Sequence, residues 1–127
     1  MRSEREDKNI DFEIVFCEKI LAENPDFLEA LVAVGDLYTK KGLHTKAIEI
    51  DKRLARMRPE DPTVLYNLAC SYSLLGNVDE AFQVMKLAIQ SGYDDFGHLL
   101  RDKDLDLLLQ DTRFRRYLED LSRPKNP

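Results

Sequence analysis

LVAVGDLY at residues 31–38 and LYNLACSY at residues 65–72 are one motif written twice, 34 positions apart. Each opens on leucine, carries a small residue at its centre (Gly35, Ala69) and closes on tyrosine (Tyr38, Tyr72). Extending the same offset outward sets Gly42 on Gly76, Ala47 on Ala81, Pro25 on Pro59 and then Tyr93, and Leu31 on Leu65 and Leu99. Self-similarity at about this period is the mark of stacked supersecondary units, each burying its apolar face against the next.

The matched residues have separate physical jobs. Gly35 and Ala69 are small where the two helices of a hairpin cross, and Ala47, Ala81 and Ala88 let the partner helix approach closely. Gly42 and Gly76 fall just past the apolar periodicity of their helices, where a left-handed residue ends a helix at little cost. Pro59 closes one helix, Asp61 is suited to cap the next, and Pro62 to sit in its first turn. The same logic applies to Asn24, Pro25 and Asp26. This predicts helices over 8–23, 27–40, 44–57, 62–74 and 78–91. Beyond Tyr93 the apolar clusters shorten and alternate with aspartates, which predicts three short helices. The last of these carries Phe114, Tyr117, Leu118 and Leu121 on one stripe, with Asp111 or Thr112 as its cap.

The chain has 127 residues, 43% hydrophobic and 34% charged, which is one domain's worth of core and too apolar for disorder. Only 5 Gly and 5 Pro are present, too few for the many turns of a sandwich or barrel. The net charge of -5 argues against nucleic acid or an anionic membrane as partner, because phosphate binding is driven by clustered lysine and arginine. No run approaches the roughly 18 apolar residues of a membrane span, and the opening residues lack a signal-peptide pattern, so the expectation is a cytoplasmic protein. Cys17 and Cys70 sit in helical patterns without metal-ligand spacing and are expected to be reduced, with no cofactor or metal implied.

On LVAVGDLY and LYNLACSY, the chain resembles the tetratricopeptide repeat family, whose pattern of leucine, small residue, tyrosine, alanine and proline they carry. The resemblance covers repeats at 28–61 and 62–95, preceded by an isolated helix at 8–23 and followed by a segment at 96–123 that caps the stack. It implies an all-α fold, a right-handed superhelix of antiparallel helix hairpins. The pattern D-x-D-L-x-x-L followed by D-x-R-F over 102–114 is similar to tails that follow such arrays in small bacterial proteins. The resemblance also implies a non-catalytic module that holds a protein or peptide in a concave groove lined by the first helix of each hairpin. Glu29, Val32, Ala33, Asp36 and Lys40 should line it from one repeat, Thr63, Tyr66, Asn67, Cys70 and Leu74 from the next, with Arg101 beyond. Relatives that bind the carboxyl-terminal peptides of heat-shock chaperones use a carboxylate clamp whose places hold Val32, Asp36, Asn67, Gly97 and Arg101 here. Asn67 and Arg101 match, but Asp36 would repel a terminal carboxylate, so such a co-chaperone role is the less favoured alternative.

No catalytic motif is visible, and the only histidines are His44 and His98. Asp102, Asp104 and Asp106 open like a calcium loop, but Leu107 stands at the turn glycine and Arg113 at the bidentate glutamate. Asp94, His98 and Asp102 would share a helix face, where capping is a commoner role than metal binding. Lys52, Arg53, Arg56 and Arg58 read as a solvated face paired with Glu49 and Asp51. Cys70 and Cys17 read as small core residues.

The first helix carries two apolar stripes, one of Ile10, Ile14, Cys17 and Leu21, the other of Phe12, Phe16 and Ile20, together spanning about 200°. Glu13 stands where Ala47 and Ala81 stand in the repeats, consistent with no close partner helix there. Phe12, Phe16 and Ile20 are therefore candidates for self-association as a homodimer or for docking another chain, unless the tail or the next two helices cover them.

Overall fold

The structure is a computed structural model that describes residues 2–124. Its order is α1 (Glu4–Glu23), α2 (Leu28–Lys40), α3 (His44–Met57), α4 (Pro62–Leu74), α5 (Val78–Gln90), α6 (Phe96–Arg101), a 3-10 turn (Lys103–Leu105), α7 (Asp106–Gln110) and α8 (Thr112–Ser122). No strand occurs among the described residues. The fold is all-α, a tetratricopeptide-like run of antiparallel hairpins.

The residues matched at the 34-residue offset do equivalent work. A Cβ on Gly35 would stand 3.2 Å from Ile50 Cγ2 and 3.5 Å from Asp51 Oδ1, so α3 crosses α2 at that point. Ala47, Ala69, Ala81 and Ala88 are all fully buried. Gly42 (φ 76) and Gly76 (φ 81) take the left-handed conformation just beyond α2 and α4. The backbone N–H of the residue after each reaches back, Leu43 to Tyr38 O and Asn77 to Tyr72 O, which satisfies two end carbonyls.

Two start signals read differently. Asp61 caps α4, accepting from Thr63 N at 2.9 Å and Val64 N at 3.2 Å, but Asp26 does not cap α2. Phe27 holds that place because the 34-residue register sets Phe27, not Asp26, opposite Asp61. Asp26 instead faces the Arg53 guanidinium at 3.4 Å. α1 starts four residues before the expected position 8, because Ser3 caps it: Glu6 N donates to Ser3 Oγ at 3.2 Å.

Two apolar clusters hold the stack. Ile14 and Cys17 of α1 meet Val34, Leu37, Tyr38 and Ala47, and α1 is held further by Tyr38 Oη donating to Glu18 and by Lys41 pairing with Asp11 at 2.9 Å. The larger cluster joins α4 and α5 to the tail through Met85, Leu99, Leu105, Leu108 and Phe114. α6 starts 34 positions after α4, as α4 does after α2, and Leu99 is buried as Leu31 and Leu65 are. It is the first turn and a half of a third repeat, cut short. Continuing it would put Asp102 at the core places of Val34 and Leu68, and Lys103 at the close-approach places of Gly35 and Ala69. Asp102 instead ends α6 and accepts from Asp104 N at 3.0 Å, an aspartate turn that redirects the chain back across α4.

Of the four-residue stripe on α8, Phe114 is buried and Tyr117 and Leu118 half-buried, while Leu121 stays 47% exposed. The basic strip on α3 also differs from its sequence reading. Lys52 pairs with Glu49 at 3.9 Å, but Asp51 is not a surface partner: it is 7% exposed and accepts from Ser71 Oγ at 2.5 Å.

Candidate functional site

Because α2 and α4 are equivalent first helices, their outward faces run side by side and form the walls of a groove of about 540 Å³. Val32, Ala33 and Asp36 border it from α2 and Thr63, Tyr66, Asn67, Cys70 and Leu74 from α4. Three residues expected to line it do not. Glu29 lies outside the groove, Lys40 lies at its rim with its ammonium 3.0 Å from Asp36, and Arg101 is exposed on α6. Gly97, the other tail residue at a clamp place, is also outside, because the tail does not continue as a third hairpin.

The tail supplies part of what sequence reasoning missed, and Asp51, Asp61 and Val64 supply more. His98, Asp102 and Asp104 border the groove at its far end. Tyr66 Oη donates to Asp102 Oδ2 at 2.6 Å, Cys70 Sγ lies 3.8 Å from the same oxygen, and His98 Nε2 stands 3.4 Å from it. The Tyr66 ring stacks on Tyr93 at 4.4 Å. Burial, then the bond to Asp102, pushes the Tyr66 hydroxyl far above its ordinary value, and burial does the same for the Cys70 thiol. Both groups stay protonated at neutral pH, so Cys70 is a buried packing residue and Tyr66 a wall tied to the tail. The signal that could have found the tail is the offset itself, which sets Asp102 on Val34 and Leu68, a polar residue where the repeat demands an apolar one.

Asp94, His98 and Asp102 do not assemble as a ligand set. Asp95 caps α6, accepting from His98 N at 3.1 Å, and among the described residues no group of three His, Cys, Asp or Glu side chains could hold a metal ion. Cys17 and Cys70 are both free thiols. No helix among the described residues is long and apolar enough to cross a membrane.

A second surface lies at the opposite end of the stack. α1 packs on α2, whereas the tail packs on α4 and α5, so neither covers the outer side of α1. Phe12 is 72% and Phe16 57% exposed, Val15 is exposed beside them, and Ile20 is half-buried. At the tail end, Phe96, Leu100, Leu118 and Leu121 border an apolar cleft of about 320 Å³.

Residues 30–63 and residues 62–91 each match the tetratricopeptide repeat family. Over 83 residues the chain is 32% identical to a chloroplastic protein of Arabidopsis thaliana, an overlap of 63% of this chain and 25% of that one. The chain thus spans about a quarter of that relative's length. Tetratricopeptide repeats serve protein–protein interaction and form a non-catalytic repeat family. With its hairpins crossing at Gly35 and Ala69 and its helices ended by Gly42 and Gly76, the chain belongs to the tetratricopeptide repeat family.

Proposed function

We propose that this chain binds an extended segment of a partner protein in the groove between α2 and α4 and catalyses nothing. The supporting observation is the groove itself, open along one side and bordered by exposed side chains from two equivalent helices. Asn67 offers an amide donor and acceptor to a passing backbone, and Val32, 49% exposed, offers an apolar contact beside it. Peptides selected from a displayed library on the immobilised chain test this. Val32→Asp and Asn67→Ala should each weaken their binding about tenfold, while Phe16→Glu leaves it unchanged. Selected peptides that ignore both groove variants would overturn the reading. Tyr66→Ala is a poor probe, because Tyr66 is 5% exposed and bonded to the tail.

A second reading, assembly through α1, is favoured by the bare Phe12 and Phe16 at one end and the apolar cleft at the other. Two different faces at opposite ends associate head to tail and build an open chain of copies rather than a closed dimer.

A further inference from the structure

Five aspartates, Asp36, Asp51, Asp61, Asp102 and Asp104, border the groove, and no lysine or arginine among the described residues does. The chain as a whole carries 19 Lys and Arg against 24 Asp and Glu, so this segregation is local rather than compositional. Three of the five are satisfied internally. Asp61 accepts the first amides of α4, Asp36 pairs with Lys40 at the rim, and Asp102 accepts from Tyr66 Oη and Asp104 N.

Asp104 is not, and Asp51 is so at one oxygen only. Asp104 is half-buried, stands beside Asp102, and receives no hydrogen bond from a side chain of the described residues. Burial, then the Asp102 charge, pushes its carboxyl up, with His44 pulling the other way and Asp106 adding to the rise. Asp51 is 7% exposed, and Ser71 donates to Oδ2 while Oδ1 faces Gly35, where the missing side chain leaves the groove open. Carboxylates withdrawn from water without a counter-charge are unfavourable, and a cation arriving from outside relieves them.

We infer that the occupant of the groove is an extended protein segment bearing lysine or arginine, one cationic side chain set at Asp104 and another towards the Asp51 oxygen at Gly35. The inference rests on the groove reading above. Val32, Val64 and Leu74, which also border the groove, give the alkyl stems of such side chains an apolar surface while their heads meet the carboxylates. A segment rich in acidic residues, or ending in a free carboxylate, meets repulsion in the same place.

The test uses the library-selected peptides, each resynthesised with norleucine and with glutamate at its basic positions. Selected sequences should be enriched in lysine and arginine, lose about tenfold in affinity on norleucine replacement and more on glutamate replacement. Asp104→Asn should weaken the basic peptide by several fold and leave its norleucine form unchanged, with thermal unfolding no lower than that of the wild type. Asn67→Ala should weaken both forms. Peptides that lose binding with Asn67→Ala yet show no preference for basic residues would overturn the charge inference and leave the groove reading standing. Peptides indifferent to both Asn67→Ala and Val32→Asp would overturn both.

Discussion

Tyr66 Oη and Asp102 Oδ2 lie 2.6 Å apart and join α4 to the end of α6 across 36 positions of sequence. Asp102 is also the residue that stops α6, so one carboxylate both ends the truncated repeat and fastens it to the groove wall. A hydrogen bond to a charged, partly buried acceptor contributes about 1.5–3 kcal/mol. Tyr66→Phe keeps the ring on Tyr93 and removes only that donor. It should lower stability by about 1–2 kcal/mol. The loss should concentrate in the tail, with faster amide hydrogen exchange over residues 96–110 and little change over 28–57.

Asp51 sets a pH dependence. Burial raises its carboxyl, and the Ser71 hydroxyl offsets this only in part. The folded state therefore holds the proton more tightly than the unfolded chain, so stability falls as pH rises from the ordinary aspartate value through the raised one. Asp104, also raised, acts in the same sense. Asp51→Asn can still accept from Ser71 and carries no charge at any pH. It should be more stable than the wild type at pH 7, with the difference vanishing towards pH 3, as read by urea unfolding at a series of pH values. A difference independent of pH would count against the buried charge.

How far the sequence could be read follows from which residues obey the 34-residue spacing. From Gly35 to Ala81 the matched positions repeat a packing or turn constraint, and the first helices of two repeats sharing a face gave most of the groove wall: Val32, Ala33 and Asp36, then Thr63, Tyr66 and Asn67. The missing groove residues at its far end came from places where the spacing fails. His98, Asp102 and Asp104 enter because a polar residue falls on a core position and the chain turns back, an event set by tertiary competition rather than by local propensity. Asp51 was misread as solvated because a lone aspartate among Lys52 and Arg53 has the composition of a surface, and only the crossing at Gly35 buries it.

The two kinds of glycine should respond differently to substitution. Gly76 has φ 81 and open space around it, so Gly76→Ala meets only backbone strain, about 1 kcal/mol. Gly35 lies mid-helix with Ile50 against it, so Gly35→Leu must push α3 away and should cost about 1–3 kcal/mol or more. Chemical denaturation of both variants checks the order, and Gly35→Leu should also reduce peptide binding because Gly35 borders the groove.

α1 offers two faces of one helix with opposite expectations. Ile14 is 8% exposed and packs in the α1–α2 cluster, so Ile14→Ala should cost about 2–4 kcal/mol. Phe16 faces outward at 57% exposure, so Phe16→Glu should change stability by less than about 0.5 kcal/mol. If copies assemble head to tail, the mass from light scattering should climb with concentration past that of a dimer for the wild type. Phe16→Glu should remain monomeric, and so should Leu100→Glu, which places a charge in the apolar cleft at the other end. Each variant keeps one intact face, so an equimolar mixture of the two should recover a dimer and go no further. A wild type that stays monomeric throughout the series would exclude this assembly, and a mixture that stays monomeric would show that the two ends are not each other's partner.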